Sequence, residues 1–384
     1  MPKIALAGFG MEGKAAYEWL KGKAEMEIFD EQVIADAPVP AHVGLTIPGE
    51  FAVVYKTPGI SDSKLKLESP ATRVTTLMDD VVAKVGARAV GITGTKGKST
   101  VASLVHHILQ KSGKKSILFG NIGIADMELV RGATPDTIFV LELSSYQCEH
   151  LSHSPHVGVL TNLYPEHLSH HGSFEAYKAA KMNLFAHQAL GDVFIDGRTI
   201  AAVEPFETKL LGAHNQTNCT IAVAAVAAFG VAEAEAREAV QSFEPLPYRN
   251  EKVGEYRGVT FYDDALATIP EATLASIAAL PQVDTIILGG EDRGISFDGI
   301  ANALPLTRIN TFIVFPDTGP KMVAKVAVDK VVHASSMEEA VRAAYEHTPE
   351  GGAVLLSPAS PSFNMFKDYK DRSAQYREWI KKLA

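Results

Sequence analysis

Short apolar runs and amphipathic stretches alternate along the first part of the chain. Residues 4–7 form an apolar run that ends at a glycine-rich turn, and residues 14–20 follow with apolar positions at helical spacing. A second apolar run at residues 25–29 completes a strand–helix–strand unit. Residues 53–55 predict a third strand. This pattern predicts a Rossmann-like domain over residues 1–85.

The same alternation continues through the middle of the chain. A strand at residues 87–92 runs into a loop of glycine, threonine and lysine, and a helix at residues 99–111 follows it. Gly113 ends this helix. The pattern further predicts strands at residues 138–143, 157–161 and 193–195, and helices at residues 174–187 and 217–229. Since strands that alternate with helices form parallel sheets, we predict a mostly parallel sheet over residues 86–245.

Two prolines mark residues 243–249 as a linker, and a third α/β pattern follows it. The apolar positions there predict a hairpin from residues 252–256 and 259–262, strands at residues 285–288, 312–315 and 354–356, and a last helix at residues 368–383. We therefore predict an α/β protein of three domains. They are the Rossmann-like domain over residues 1–85, a central P-loop ATPase-type domain over 86–245 and a Rossmann-like C-terminal domain over 246–384.

Composition narrows the class of protein further. The chain has 384 residues, 36 of them Lys or Arg and 45 Asp or Glu, and a net charge of −9. This charge predicts that neither nucleic acid nor an anionic membrane is a partner. The two cysteines exclude a disulfide framework and most structural zinc sites. The apolar run at residues 221–232 is too short to span a bilayer, and we expect a cytoplasmic monomer.

The strongest chemical signal is the loop Gly94-Thr95-Lys96-Gly97-Lys98-Ser99-Thr100, between a predicted strand and a predicted helix. The backbone N–H groups of such a loop and the helix N-terminus form a concave anion site. Lys98 would reach the β- and γ-phosphates of a nucleotide, and the Ser99 hydroxyl would bind Mg²⁺. The loop is shorter than the usual P-loop, because Ile92 stands where a glycine is expected. The alternative is a glycine-rich turn with a surface lysine.

Glu142 lies in the apolar strand predicted at residues 138–143, near its carboxyl end. A carboxylate at that end of a buried parallel strand points into the crevice where α/β sheets bind ligands. Glu142 would therefore hold Mg²⁺ as the acidic partner of the phosphate loop. The alternatives are a helix N-cap and a salt-bridge partner.

Histidines are concentrated in one stretch of the chain, namely His150, His153, His156, His167, His170 and His171. No His-Glu-x-x-His spacing occurs among them, which argues against catalysis by a transition metal. We favour an interpretation in which one of them contacts a hard metal or a phosphate. The others are then predicted to lie on the surface.

Two weaker signals remain open at this point. The turn Gly8-x-Gly10-x-x-Gly13, with Asp30 at the expected distance, matches a dinucleotide fingerprint. A tight strand–helix turn without a dinucleotide fits it equally well. Lys178 and Lys181 lie three residues apart in a predicted helix, where the default interpretation is a solvated face.

Taken together, these motifs resemble the Mur ligase family, the ATP-dependent amino-acid-adding enzymes of peptidoglycan synthesis. The family's phosphate loop is of the Gly-Thr-x-Gly-Lys-Ser/Thr type, which accounts for the short loop here. The matching segments resemble most the branch that adds D-glutamate to UDP-N-acetylmuramoyl-L-alanine. They are residues 120–123, 142–147, 161–167, 177–181, 212–218, 289–294 and 356–363.

The resemblance implies a uridine diphosphate site at the first glycine turn instead of a dinucleotide site. The implied contacts are Met11, Glu12, Asp30, Gln32, Thr57, Pro58 and Gly59. It also implies that Asn121, Ser144 and His167 contact the sugar-nucleotide substrate. Asn121 and His167 would in addition help to hold the metal ions.

For ATP, the resemblance implies contacts from the whole loop Gly94 to Thr100 and from Asn215, Asn218, Arg249 and Asp264. Lys181 matches the lysine that CO₂ carbamylates in this family, which replaces the solvated-face interpretation for that residue. Two Mg²⁺ ions would be held by Ser99, Glu142, His167 and carbamylated Lys181. The implied reaction forms an acyl phosphate from the substrate carboxylate and ATP, with Lys98, Glu142, His167 and Lys181 as its catalytic residues.

For the amino acid, the resemblance implies a pocket of Thr268, Arg293, Ser362, Phe363 and Tyr369. One stretch departs from the D-glutamate branch, because residues 265–269 read Ala-Leu-Ala-Thr-Ile where Ser-Lys-Ala-Thr-Asn is usual. The alternatives are a related ligase that adds L-glutamate or another amino acid, or one that resembles folylpolyglutamate synthase. A dinucleotide-dependent oxidoreductase is the alternative from a different class.

Overall fold

A computed structural model describes residues 1–121, 126–200 and 204–384 of the chain. The architecture is α/β, and its strands form three main sheets of mostly parallel strands. Within the described ranges, no helix has both the length and the apolar character that crossing a membrane requires.

The first sheet is parallel throughout and has the order β3-β2-β1-β5-β7. Its β1 is almost entirely buried, as an apolar strand in the middle of a sheet should be. The two remaining strands, β4 and β6, pair only with each other. The elements are β1 (Lys3–Ala7), α1 (Met11–Leu20), β2 (Glu25–Asp30), β3 (Ala41–Val43), β4 (Thr46–Ile47), β5 (Val53–Lys56), β6 (Lys66–Leu67), β7 (Arg73–Thr75) and α2 (Leu77–Val85).

The second sheet is also parallel and has the order β12-β11-β8-β10-β9. Its three inner strands β11, β8 and β10 are fully buried, because helices cover the sheet. The elements are β8 (Ala89–Thr93), α3 (Lys98–Lys111), β9 (Ser116–Gly120), α4 (Met127–Gly132), β10 (Ile138–Glu142), α5 (Ser145–Cys148), β11 (Val157–Leu160), α6 (Leu168–His171), α7 (Phe174–Met182), β12 (Val193–Asp196), α8 (Ala213–Ala227) and α9 (Glu233–Gln241).

The third sheet has the order β13-β14-β18-β15-β16-β17, and only the hairpin β13–β14 is antiparallel. The hairpin confirms the prediction for residues 252–262. The elements are β13 (Glu251–Tyr256), β14 (Val259–Asp263), α10 (Pro270–Ala279), β15 (Val283–Gly290), α11 (Asp298–Ala303), β16 (Thr311–Asp317), α12 (Gly319–Met322), β17 (Val331–His333), α13 (Met337–His347), β18 (Ala353–Leu356) and α14 (Tyr369–Lys382).

Contacts along the chain define two compact units. Unit 1 comprises residues 1–207 and 217–241, and unit 2 comprises residues 208–216 and 242–384. The first two sheets share unit 1 because one hydrophobic cluster runs through both, from Trp19 and Met78 to Phe119 and Phe139. Arg131 of α4 adds polar contacts by donating to the backbone oxygen of Trp19. The boundary predicted near residue 85 therefore separates two sheets within unit 1.

Most predicted elements occur within a few residues of their predicted bounds, but two differ. The helix predicted over residues 174–187 ends at Met182, because the backbone continues as turns in which Leu184 N–H donates to the Lys181 oxygen and Phe185 N–H to the Met182 oxygen. The helix predicted from residue 217 starts earlier, at Ala213. Both corrections concern helix ends, which local sequence determines least.

Candidate functional site

The loop between β8 and α3 has the form of a phosphate-binding loop. Lys98 is the first residue of α3, and its Nζ donates to the backbone oxygens of Gly94 (3.0 Å) and Thr95 (2.9 Å). The lysine is thus folded back over the loop, where its charge faces the space that the loop encloses. Because the loop precedes a helix of 14 residues, backbone N–H groups and the helix dipole both favour an anion there.

Glycine is required at Gly94 for two reasons. Its φ is +141°, which L side chains rarely adopt, and a Cβ there would lie 1.9 Å from Thr161 Oγ1. Gly97 also approaches a neighbour closely, since its Cβ would lie 2.8 Å from Asn218 Oδ1. Asn218 of α8 therefore lies beside the loop.

Residues that follow β11, together with Tyr177 of α7, hold the loop in place, and most of them were not predicted as site residues. Asn162 accepts a hydrogen bond from the Lys96 backbone N–H (2.8 Å) and donates to its oxygen (2.9 Å). The Lys96 ammonium pairs with Glu166 at 2.8 Å. Thr95 bonds to the Tyr177 hydroxyl at 2.8 Å. For Asn162 and Glu166 the available signal was their place after a buried strand, because ligand sites gather at that edge of a parallel sheet. Tyr177 lies in α7 and had no such signal.

Glu142 lies at the same edge, at the end of β10. Its side chain is buried, and Asn121 Nδ2 donates to Oε1 at 3.2 Å. The other oxygen, Oε2, is buried without a hydrogen-bond partner in the described part of the chain. A buried carboxylate oxygen without a donor is costly unless a cation or a ligand group binds it. Residues 122 and 123, which follow Asn121 in the matching segment, lie outside the described residues.

The structure separates the two lysines of α7. Lys178 is exposed, as a solvated face requires, whereas Lys181 is only 2% exposed. Lys181 Nζ donates to the backbone oxygen of Gly94 at 2.7 Å, so it reaches the phosphate loop. Burial, together with the charge of Lys98, lowers the pKa of Lys181 to about 7. The solvated-face interpretation is therefore right for Lys178 and wrong for Lys181.

His167 precedes α6 with a left-handed backbone conformation, φ +56°. Its Nε2 lies 3.9 Å from Glu166 Oε2. Burial lowers the pKa of His167 to about 4, and the nearby lysines act in the same direction although Glu166 opposes them. The ring is therefore neutral at pH 7 and has a lone pair to offer to a metal ion.

The first glycine turn packs tightly against the loop that follows β5. Gly8 has φ +89°, and a Cβ there would lie 2.1 Å from Thr57 Oγ1. Asp30 accepts hydrogen bonds from the backbone N–H groups of Phe9 (2.8 Å) and Gln32 (3.0 Å). Asp30 thus holds the turn in shape, and both of its oxygens already accept a backbone donor.

The remaining residues of the implied uridine diphosphate site surround this turn. Met11 and Gln32 are exposed, as is Gly59, while Thr57 and Pro58 are half-buried. Glu12 is different, because the Gln147 amide donates to its carboxylate at 2.6 Å. Burial raises the pKa of Glu12, and this hydrogen bond opposes the shift. Ser144 caps α5 and fixes Gln147 through a capping box, so it supports this contact.

In unit 2, Asp264 follows β14 and is buried. It accepts hydrogen bonds from Ser276 and Ser357, each at 2.7 Å. Burial raises the pKa of Asp264 to about 6, against the effect of these hydroxyls and of the Arg249 charge. Asn215, also in unit 2, donates to the backbone oxygen of Leu211 at 2.7 Å.

Two of the residues implied for the amino-acid pocket meet in unit 2. The Arg293 guanidinium lies over the Phe363 ring, 5.4 Å from its centroid, and pairs with Glu291 at 2.9 Å. Both residues are exposed, so they are accessible to a ligand. Ser362 is buried and Thr268 half-buried, and Tyr369 packs against the Tyr248 ring at 5.6 Å.

The histidine prediction needs a correction. His170 and His171 were predicted to lie on the surface, but their side chains are only 12% and 3% exposed. Both rings face Glu149 Oε1. The chain fold brings Glu149 to them from α5, 21 residues earlier, and no local pattern records that contact.

Two family models match the chain. Residues 92–201 match the Mur ligase middle domain, and residues 248–360 match the Mur ligase, glutamate ligase domain. Curated relatives match nearly end to end. A UDP-N-acetylmuramoyl-L-alanine–L-glutamate ligase from a Micromonospora species is 33% identical over 99% of this chain and 97% of its own length. A UDP-N-acetylmuramoylalanine–D-glutamate ligase from Symbiobacterium thermophilum is 30% identical over 90% and 88%.

A solved structure has the same fold. MurF from Acinetobacter baumannii superposes with a TM-score of 0.65 over 99% of this chain and 93% of its own, at 15% identity. At that identity the likeness concerns the fold alone.

Proposed function

Because the chain belongs to the Mur ligase family, we propose that it joins glutamate to UDP-N-acetylmuramoyl-L-alanine with ATP, in the synthesis of peptidoglycan precursors. The observation that carries the proposal is the convergence of Lys98, Lys181 and Glu142 at one edge of the second sheet. Lys98 and Lys181 both donate to Gly94, and Glu142 ends the strand beside β8. Membership in a ligase family removes the oxidoreductase alternative.

The proposed reaction has two steps. An oxygen of the substrate carboxylate attacks the γ-phosphorus of ATP, and the bond to the β-phosphate breaks to release ADP. The amine of glutamate then attacks the acyl carbon, loses a proton, and phosphate leaves from the tetrahedral intermediate. Because the carboxylate and three phosphates repel one another, the enzyme must supply positive charge. Lys98 would exchange the Gly94 and Thr95 oxygens for phosphate oxygens.

Residues of unit 1 fit a Mg²⁺ site beside the loop. Among the described residues no group donates to the buried oxygen Oε2 of Glu142, and the His167 ring is neutral. We propose that Ser99, Glu142, His167 and carbamylated Lys181 would hold two ions. Bound Mg²⁺ would neutralise the negative charge of the phosphates.

Carbamylation of Lys181 is supported by its surroundings. A carbamate forms from the unprotonated amine, and a pKa of about 7 leaves much of this amine unprotonated at neutral pH. An ordinary lysine would be unprotonated in only about one molecule in 3,000 at pH 7. The carbamate is an anion, so it would also end the repulsion between Lys181 and Lys98.

For the substrate, we propose that the turn from Gly8 to Gly13 binds the uridine diphosphate group. The N-terminus of α1 lies at this turn, and its N–H groups suit a pyrophosphate. The proposed contacts are Met11, Glu12, Asp30, Gln32, Thr57, Pro58 and Gly59, with Asn121 and Ser144 nearer the reacting end. Of these, Glu12 and Asp30 would act through the hydrogen bonds that they already make to protein groups.

For the nucleotide, we propose contacts from Asn215, Asn218, Arg249 and Asp264 in addition to the loop Gly94 to Thr100. We also propose a division into three domains, at residues 1–85, 86–245 and 246–384. The monomeric state and the cytoplasmic location remain our predictions. The three separate sheets support that division. A domain that closes over the site would keep water away from the acyl phosphate.

The configuration of the glutamate separates two candidates. The matched segments predict D-glutamate, and the ligase from Symbiobacterium is named for it. L-glutamate is favoured by the name of the Micromonospora relative and by the departure at residues 265–269.

Phosphate release should be measured with ATP, UDP-N-acetylmuramoyl-L-alanine and each amino acid in turn. Release that requires glutamate and prefers the D-form is expected. Faster release with a neutral or basic amino acid would refute the glutamate assignment, and faster release with L-glutamate would establish the second candidate.

Replacement of Arg293 by alanine should raise the KM for glutamate. A hydrogen bond to a charged group contributes roughly 1.5–3 kcal/mol, or about 10- to 150-fold in affinity. Leu266 stands where the D-glutamate branch has a lysine, so Arg293 would be the main cation in the pocket. The increase in the KM for glutamate should therefore be near the upper end of this range. The KM for ATP should change little.

Arg342→Ala is the matched control for this measurement. Arg342 is similarly exposed and makes a similar ion pair, 2.9 Å to Glu338. Its loss should leave the KM for glutamate unchanged. Equal effects of the two substitutions would show that Arg293 does not bind the amino acid.

A further inference from the structure

A second group of side chains that could hold a metal ion lies in unit 1, apart from the residues assigned to the reaction. We call it the Glu149 cluster, and it consists of Glu149, His170 and His171. His170 Nε2 lies 2.9 Å from Glu149 Oε1, and His171 Nδ1 lies 3.2 Å from the same oxygen. All three side chains are at most 12% exposed. Two imidazole nitrogens and one carboxylate oxygen therefore converge on a small, largely buried space.

Neighbouring residues fix the orientation of His171 and Glu149 in the cluster. The second nitrogen of His171, Nε2, bonds to Ser145 Oγ at 2.9 Å, which leaves Nδ1 facing the cluster. The second oxygen of Glu149, Oε2, pairs with the buried ammonium of Lys56, which leaves Oε1 facing the two rings. Lys56 is itself held by the backbone oxygen of Ile60 at 3.0 Å. Metal-binding histidines and carboxylates in proteins typically have such partners on their outward-facing atoms.

Aromatic packing holds the two rings as well. The Tyr146 ring stacks on His171 with an angle of 12° between the planes and lies 4.2 Å from the His170 centroid. Burial lowers the pKa of His171 to about 4, with His170 as a further cause. A neutral ring at pH 7 has a nitrogen lone pair available, which a metal ligand requires.

We propose that Glu149 Oε1, His170 Nε2 and His171 Nδ1 bind a transition-metal ion of the Zn²⁺ type. Two imidazoles with one carboxylate are a common ligand set for Zn²⁺, which leaves a fourth position for water. Mg²⁺ and Ca²⁺ prefer oxygen ligands, so this cluster selects against the ions of the phosphate site.

The distances in the cluster are compatible with this ion. Ligand atoms about 2.1 Å from a tetrahedral ion lie about 3.4 Å from one another. The two distances to Glu149 Oε1, 2.9 and 3.2 Å, are slightly shorter than this, and all three ligand atoms lie within 4.8 Å of one another. The carboxylate of Glu149 suits a dication. Lys56 pairs with its other oxygen, Oε2, and so orients the carboxylate.

The ion would join three elements of unit 1. Glu149 follows α5, His170 and His171 end α6, and Lys56 ends β5 of the first sheet. Because His167 precedes α6, the ion would also fix the helix that presents His167. Without an ion, the same atoms form a cluster in which one histidine proton is shared with Glu149, and the experiment must distinguish these two states.

Metal binding should be measured on the untagged full-length chain after treatment with a chelator. A large excess of Mg²⁺ is kept present so that the phosphate site is occupied. Co²⁺ and Zn²⁺ alone are the probes, because Co²⁺ in a site of low coordination absorbs visible light strongly. We expect one equivalent of Co²⁺ to bind with such a spectrum, and one equivalent of Zn²⁺ to displace it.

Variants then locate the ion. His170→Ala and Glu149→Gln should each weaken Zn²⁺ binding by at least about 100-fold, since even outer partners of metal ligands contribute 10- to 100-fold. The matched control His187→Ala removes an exposed histidine and should leave binding unchanged. Glu142→Gln, which alters the phosphate-side metal site, should also leave it unchanged.

Three results would overturn the proposal. The first is that the unaltered protein does not bind one equivalent of Co²⁺ or Zn²⁺. The second is that binding survives both His170→Ala and Glu149→Gln. The third is that binding disappears in Glu142→Gln. Circular dichroism checks that each variant is folded. If a variant is unfolded, the stoichiometry and spectrum of the unaltered protein still decide between an ion and a shared proton.

Discussion

Lys98→Ala should reduce phosphate release by about 10³-fold or more while the protein stays folded. Lys98 supplies a full positive charge at the point where phosphate charge gathers, and its ammonium already spans the loop between Gly94 and Thr95. Removal of a single preorganised donor costs about 10²–10³ in rate, and loss of a charge on a transferring phosphoryl group costs more. Steady-state phosphate release with saturating substrates measures the effect.

The matched control is Lys111→Ala, at the other end of the same helix. Lys111 is exposed and should be replaceable without loss of turnover. Thermal unfolding of both variants should resemble that of the unaltered protein, because the Lys98 ammonium bonds to backbone oxygens of the loop and Lys111 is exposed. If Lys98→Ala retained even a tenth of the turnover, the loop would not be the phosphate site.

Lys181→Ala should abolish turnover, and small carboxylic acids such as acetate should restore part of it. The substitution removes the proposed carbamate, and with it a metal ligand, so a loss of at least about 100-fold is expected. The truncated side chain leaves room where a carboxylate can take the position of the carbamate. Turnover as a function of acetate concentration measures the rescue.

Lys178→Ala is the control for this experiment. It lies three residues away on the same helix but is exposed. Its turnover should be normal and should not respond to acetate. Rescue that also occurred in Lys178→Ala, or a Lys181→Ala protein with normal turnover, would exclude the carbamate.

Carbamylation of Lys181 should make the activity depend on pH when CO₂ is limiting. Since burial lowers its pKa to about 7, the fraction of unprotonated amine rises as the pH increases through 7. At limiting CO₂, activity should therefore rise between about pH 6 and 8. Added bicarbonate should reduce this dependence, because it drives carbamate formation at a fixed fraction of free amine.

The sequence predicted those features of the site that are local. The strand–loop–helix around Lys98 follows from the switch between a buried strand and an amphipathic helix, with glycines at the turn. The position of Glu142 follows because it ends a buried parallel strand, and such ends share one edge of a sheet. The family was recognised from motifs of this kind, and the relatives confirm it.

Features that depend on packing were not predictable from local pattern. Lys178 and Lys181 look alike in the sequence, and only the packing of α7 against the phosphate loop buries one of them. The contact between Glu12 and Gln147 joins residues 135 positions apart. Periodicity cannot report such pairs, because it records which face of an element is apolar but not what covers that face.

The amino-acid sequence by itself thus determined the order of the elements, the phosphate loop and the ligase family. The tertiary structure alone decided which ionisable side chains lose contact with water. Burial at Lys181, Glu142, His170 and His171 gives these groups their chemistry, since a charged or polar group removed from water must find a proton, a partner or a metal ion. That burial arises from neighbours far away in the chain, which fold together only once the sheets and helices pack.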